Sequence, residues 1–234
     1  RGVRFTNAYV QSPICGASRM SFYTGRYVGS HGAGWNNYPL KAGEVTLGDH
    51  LRARGMDAVL IGKTHMKVDD AGLDRRDDGL WAEGPDGPYD AKPSPYNAFL
   101  KARGYDSRNP WHDHANSGLS AERDAEGRGE VESGWLMRNA GLAANVREED
   151  AETPWLTDET LAFLAERREE RRAVPWLCHV SYIKPHWPYI VPAPYHNMYG
   201  PEDVLPALRD ERERADPNPV FEAFMQSRAS RGFA

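Results

Sequence analysis

The chain has 234 residues, with 29 Lys and Arg against 34 Asp and Glu, a net charge of −5, 40% hydrophobic residues and 27% charged ones. That length and apolar content suit one large α/β domain, or a domain and a half, with a sizeable core. The acidic balance argues against the basic face of a nucleic-acid binder, no apolar run is long enough to span a membrane, and the two cysteines, Cys15 and Cys178, lie too far apart in sequence to make a disulfide framework.

In chain order, the first predicted element is a short helix over "SRMSFYTGR", closed by Gly25. A second helix over "EVTLGDHLRARG" has Thr46 as its N-cap, Leu47 and Leu51 on one face and Gly55 as its stop. It leads into "DAVLIG", residues 57–62, a short strand of the buried type, and then a polar loop, "KTHMK". The same rhythm returns later. "TDETLAFLAERREERR" reads as a helix capped by Thr157 or Asp158, followed by the strand "VPWLCHVSYI" and the loop "KPHWPYIVPAPYHNMY". Helix, glycine, apolar strand and polar loop make the pattern of a parallel α/β sheet. Between the two units, from 68 to 154, the pattern gives way to Gly, Pro, Asp and Trp. This stretch is expected to be a long irregular insertion over the strand ends. After Pro201 the tail reads as a helix or two.

Ligands in open α/β sheets bind beyond the carboxyl ends of the strands. Both predicted strands run into cationic loops there, with Lys63 and His65 after one and Lys184 and His186 after the other. The two loops are expected to share one crevice suited to an anion.

Cys15 sits at the expected start of the first helix, with Arg19 four residues on. Taken alone, a single cysteine near a helix start reads as a packed side chain. The spacing adds something, because residues i and i+4 share a helix face, so Arg19 stands beside Cys15 at the positive end of the helix. A nucleophile there meets an anion with a cation in place. The loop of amides that a cysteine phosphatase needs between Cys and Arg does not fit in this spacing. Cys178 lies in an apolar run and reads as a small buried hydrophobe. Three further features have plainer readings. The "ERREERR" run, 166–172, is a solvated helix face. His112 and His114 in "WHDH" have no further ligands nearby. "GDH", 48–50, falls inside a helix.

"CGASRMSFYTGR", Cys15 to Arg26, resembles the first signature of the sulfatase family, and "GMDAVLIGKTHMK", Gly55 to Lys67, resembles the second. "YIKPHWPYIVPAPYHNMY", Tyr182 to Tyr199, is similar to the family's later His-containing loop, especially in the branch with phosphonate monoester hydrolases. The resemblance implies an alkaline-phosphatase-like α/β fold, a mixed sheet flanked by helices, with residues 1–234 forming part of a single catalytic domain. It implies that a maturation enzyme oxidises Cys15 to formylglycine (3-oxoalanine), which ligates a divalent cation, Ca²⁺ or another such as Mn²⁺. Arg19 then holds the modified side chain. Lys63 and His65 match ligands of the transferred group's oxygens, and His186 matches a further substrate-oxygen ligand or the acid for the leaving group. Asn36, with Asn37 beside it, falls where the phosphonate hydrolase branch has a substrate-contacting Asn. The implied reaction is hydrolysis of a small-molecule sulfate monoester. The alternatives are phosphonate monoester or phosphodiester hydrolysis at the same site, and a non-catalytic anion-binding homologue. In the phosphonate branch the positions of Lys63 and His65 look like Tyr and Thr, which favours sulfate here.

Two residues depart from the pattern: Ala17 stands for the commoner Pro and Phe22 for the usual Leu. The family's Asp pair upstream of the first signature, and its later Asp with His or Asn, have no counterpart here. The chain is therefore expected to be incomplete at both ends, with its other metal ligands outside it. It opens at Arg1 rather than Met, so the compartment, cytoplasmic or periplasmic, stays open.

Overall fold

The computed structural model describes residues 2–36, 38–63, 74–75, 95–123, 129–170, 174–206 and 210–227. Its helix α1, Cys15–Thr24, buries Ala17, Met20 and Tyr23, which lie three residues apart along one face. Gly25 ends it at φ 67°, a left-handed conformation that glycine adopts without a Cβ clash, and donates its N–H to Ser21 O. A short helix, α2 (Val28–His31), follows. In α3, Leu47–Arg52, the predicted cap is present as a capping box. Thr46 Oγ1 donates to Asp49 Oδ2 at 2.7 Å and Thr46 N to the same oxygen at 2.8 Å, and these bonds hold the Asp49 carboxyl below its usual range.

The main sheet has three parallel strands in the order β2 (Asp74–Arg75), β1 (Asp57–Gly62), β5 (Trp176–Ser181). The β1–β5 register runs from Asp57 opposite Trp176 to Gly62 opposite Ser181. Gly62 has φ 105°, and a Cβ there would lie 2.1 Å from Ser181 O, so only glycine lets the two strand ends close up. Both faces of β1 are covered. Val59 and Ile61 enter a core with Tyr96, Leu100, Trp111, Trp155 and Phe163. Ala58 and Leu60 pack with Met20, Tyr23 and Ala33. Cys178, half-buried, packs against the first of these cores, as a small apolar residue would.

Within 68–154 the described residues hold more order than the composition announces. They form α4 (Pro95–Ala102), a π turn over Trp111–Ala115, and an antiparallel pair, β3 (Ser117–Arg123) with β4 (Gly129–Ser133). The long helix α5 spans Glu152–Glu170 and so begins ahead of the expected Thr157 or Asp158 cap. Pro154 lies in its first turn, where the missing N–H has no helical partner to lose, and the buried Trp155 and Leu156 pull that turn onto the core. Arg167 near its other end donates to Asp57 Oδ2 at 2.6 Å, tying α5 to the start of β1.

Residues 1–197 form one compact unit and 198–234 a second. In the second, α6 (Arg212–Ala215) precedes α7 (Pro219–Gln226), whose first turn is capped by Asn218 Oδ1 accepting from Val220 N.

Candidate active site

Cys15 is the first residue of α1, after an extended Ile14 whose side chain offers no cap. The first-turn amide that needs a partner finds Asn36. Gly16 N donates to Asn36 Oδ1 at 2.8 Å. A Cβ on residue 16 would sit 2.9 Å from that oxygen and 3.1 Å from Asn36 Cα, so the glycine is what admits the Asn36 segment beside Cys15. Arg19, one turn on, donates from Nη1 to Lys63 O at 2.7 Å and to Ser181 Oγ at 3.0 Å. It thus ties the ends of β1 and β5 to α1.

Lys63 follows β1 directly. Its N–H continues the ladder to Ser181 O at 2.9 Å, and its side chain is buried, 3% exposed. Burial pulls its pKa down to about 8, with Arg19 adding to the fall and Cys15 and Glu152 opposing it. His186 comes from the loop after β5, where its N–H closes a turn on Ile183 O. Its Nδ1 is hydrogen-bonded to the Trp187 carbonyl, which can only accept, so Nδ1 carries the proton. That leaves the Nε2 lone pair facing Cys15 Sγ, 4.0 Å away. Burial lowers the imidazole's pKa against the pull of the Trp187 carbonyl, and Lys63, Lys184 and Arg19 lower it further, so the ring is neutral near pH 7.

The structure therefore brings Cys15, Arg19, Asn36, Lys63 and His186 together from four separate stretches of sequence. His65 and Asn37 lie outside the described residues. Cys15 and Arg19 open onto a cleft of about 450 Å³ shared with Ser18, Phe22, His179 and Ser181. His179 carries no sequence signal of its place at the cleft, because it lies inside the apolar strand β5. Its ring accepts or donates at Nδ1 with Tyr23 OH, 3.3 Å away, and burial first, then Arg19, lower its pKa.

The "WHDH" histidines serve packing. His112 Nδ1 accepts from Trp135 Nε1 at 2.7 Å, and His114 Nδ1 pairs with Asn145 Nδ2 at 3.2 Å. Among the described residues, no three His, Cys, Asp or Glu side chains stand close enough to hold a metal ion. Cys15 is the one member of the ligand set implied by the resemblance that lies among the described residues. Among them, no helix is long and apolar enough to cross a membrane.

The sulfatase family profile matches residues 1–204. The chain is 26% identical over 226 residues to the multifunctional alkaline phosphatase superfamily protein PehA of Trinickia caryophylli, covering 92% of this chain and 40% of that protein. It is 27% identical over 227 residues to an arylsulfatase of Clostridium perfringens, covering 92% of this chain and 42% of the relative. Its fold is similar to that of the phosphonate monoester hydrolase of Silicibacter pomeroyi, with a TM-score of 0.62 and 27% identity over 89% of this chain and 40% of that one. The chain thus spans about 40% of the length of the relatives it matches. With its mixed α/β architecture of the alkaline-phosphatase-like type and its match across residues 1–204, the chain belongs to the sulfatase family.

Proposed function

We propose that the protein hydrolyses sulfate monoesters at the site built around Cys15, Arg19, Lys63, His65 and His186. One observation carries the reading most directly. A cysteine at the open start of a helix faces an imidazole lone pair at 4.0 Å, with Lys63 within electrostatic reach of both Cys15 and Arg19. Family membership supports the same reaction class.

In this reading residue 15 would carry the group as formylglycine, made from Cys15 by a maturation enzyme, and its hydrate would supply the nucleophilic hydroxyl. The remaining work falls to the chain's own side chains. Arg19 holds the start of α1 against both strand ends. Lys63 places positive charge at the oxygens of the transferred group, and charge-assisted bonds are roughly twice as strong as neutral ones. By family resemblance His65 would bind a further oxygen of the transferred group. His186, proton on Nδ1, keeps Nε2 directed at residue 15 and holds or passes a proton there. Asn36, bonded to Gly16 N, sets the position of the first turn and flanks the substrate. A divalent cation, Ca²⁺ or Mn²⁺, belongs to the reading by family resemblance, with its remaining ligands outside the described residues.

A second reading, phosphonate monoester hydrolysis, is favoured by the similarity to a solved phosphonate monoester hydrolase. The two part on Lys63 and His65, which offer a cation and an imidazole where that branch is expected to offer neutral hydroxyls. The test is kcat/KM of the full protein for an aryl sulfate against a phenyl phosphonate. A higher value for the sulfate, lost on Lys63→Ala by on the order of 10²–10³, supports sulfate hydrolysis. A wide margin for the phosphonate supports the second reading.

A further inference from the structure

The loop that carries His186 is closed by its own bonds. His186 N donates to Ile183 O at 3.0 Å, His186 Nδ1 donates to Trp187 O, and Lys184 Nζ donates to Pro188 O at 2.7 Å. Such local bonds fix the shape of residues 183–188, but not where that shape sits relative to Cys15. Its seat is formed where β3 begins and β4 ends. Asn116, the residue before β3, accepts at Oδ1 from Lys184 Nζ, 3.2 Å away, and its backbone oxygen accepts from Gly134 N at 2.9 Å. A Cβ on Gly134 would lie 2.7 Å from Ile190 Cγ2, so the glycine lets the continuation of the loop lie against this seat. Trp135, just past β4, meets the Trp187 ring edge-to-face, with centroids 4.4 Å apart and planes at 81°. The buried Trp187 indole N–H has no hydrogen-bond partner among the described residues, so packing holds that ring.

Trp135 is itself firmly placed. Its Nε1 donates to His112 Nδ1 at 2.7 Å, and its ring stands edge-to-face to the buried Trp111, with centroids 5.9 Å apart. A continuous set of contacts thus runs from the core through Trp135 to Trp187. The Trp187 carbonyl then fixes the His186 tautomer, and Nε2 of that ring lies 4.0 Å from Cys15 Sγ. We propose that Trp135 is a positioning residue: its ring seats Trp187, and through the Trp187 carbonyl it holds His186 Nε2 on residue 15. This rests on the reading that His186 acts at residue 15. The Lys184–Asn116 bond is a second peg on the same platform. The stretch between β1 and α5 thereby takes part in the site, as the support of the histidine loop.

The experiment compares the full parent protein with Trp135→Leu, Trp187→Leu and the double variant. Phe163→Ala, which removes a core ring of α5, is the control for lost stability alone. Three quantities are measured: the thermal midpoint, kcat and KM for an aryl sulfate, and the His186 ring nitrogen shifts in protein with 15N-labelled histidine. The shifts, taken at one fixed pH, report which nitrogen carries the proton. Each single tryptophan variant is expected to lower kcat by on the order of tenfold or more, a part of what a positioned proton-transfer group contributes. KM stays within about twofold of the parent's, because the substrate contacts remain. The same variants move His186 away from the Nδ1–H form. The double variant loses no more than the worse single one, since both remove one contact. Phe163→Ala lowers the midpoint and leaves kcat and the His186 shifts of the folded protein near the parent's. A Trp135→Leu variant with the parent's kcat or the parent's His186 shifts overturns the proposal. So does a double variant whose loss in kcat is the product of the single losses, because the two rings would then act independently. So does a Phe163→Ala variant with the same losses, because any loosening of the core would then act alike. If Trp135→Leu does not fold, Trp187→Leu decides by the same criteria from the other side of the contact. If the parent turns over no sulfate ester, the proposed function fails and the His186 shifts decide alone: an Nδ1–H ring in the parent that is lost in Trp135→Leu supports the positioning role, and an unchanged ring overturns it.

Discussion

The two faces of β1 pack against unlike cores. On one, Val59 and Ile61 meet a thick aromatic layer brought by α4, the π turn and α5, with Tyr96, Trp111, Trp155 and Phe163. On the other, Ala58 and Leu60 meet α1 and its neighbours through a thin layer that includes Ala33, Met20 and Tyr23. The thin layer matters for the site. Small residues such as Ala17, Ala33 and Ala58, all fully buried, let α1 lie close to the sheet. Only at that distance does Arg19 reach both Lys63 O and Ser181 Oγ. The thick face gives stability. The thin face positions the side chains of the candidate site.

The largest expected effect separates the two cysteines. Cys15→Ala lowers turnover by on the order of 10⁴ or more, the scale seen when a nucleophile is removed, whereas Cys178→Ala, on the thick face, leaves turnover near that of the parent. Steady-state rates on an aryl sulfate check both.

Core substitutions divide the faces next. Phe163→Ala removes a fully buried ring from the thick layer and costs about 3–5 kcal/mol of stability, with kcat/KM of the folded fraction little changed. Ala17→Leu overpacks the thin layer, costing roughly 1–3 kcal/mol while pushing α1 outward, so its loss in kcat/KM exceeds what its stability accounts for. Denaturant titration beside kinetics distinguishes the two. Equal activity losses per kcal/mol would erase the distinction between the faces.

Lys63 gives a pH signature. Its pKa is lowered from 10.5 to about 8 in the unmodified chain, first by burial. Between those two values the unfolded chain binds more protons than the folded one, so this residue's contribution to stability rises as pH climbs from about 8 and levels off above the unfolded value. The Lys63 side-chain resonances, followed by NMR, should titrate with a midpoint near 8. In the full protein, loss of the Lys63 proton depresses kcat/KM over the same range, a limb that Lys63→Met removes.

The smallest effect lies away from both layers. Thr46→Ala removes the cap of α3 and costs about 1 kcal/mol, with turnover unaffected.

Much of this arrangement is legible in the sequence, for physical reasons. α1 with its Gly25 stop, the Thr46 cap, β1 and β5 all follow from local rules of capping, turn chemistry and apolar runs, and they place Lys63 and His186 after strand ends and Cys15 and Arg19 on one face at the start of α1. The start of α5 is less legible, because Pro154 reads as a break when it is tolerated in a first turn. That misplacement also hides Glu152, which looks like a loop carboxylate until α5 begins at it and buries it. The order within 95–133 depends on partners distant in sequence: Asn97 Oδ1 accepts from Trp111 N, and Tyr96 OH donates to Asp150 O. No local pattern announces such bonds. The contact of Asn36 with Gly16 N is likewise tertiary, invisible in "GWNNYPL".

The most direct measurement concerns residue 15. The full protein, produced together with a formylglycine-generating enzyme, is digested, and the peptide containing residues 15–19 is analysed by mass spectrometry with an aldehyde-reactive probe. An aldehyde at residue 15, absent at Cys178 and present in proportion to sulfate ester turnover, is the expected result. An unmodified thiol at Cys15 in protein that turns over the ester at full rate contradicts the role assigned to the start of α1.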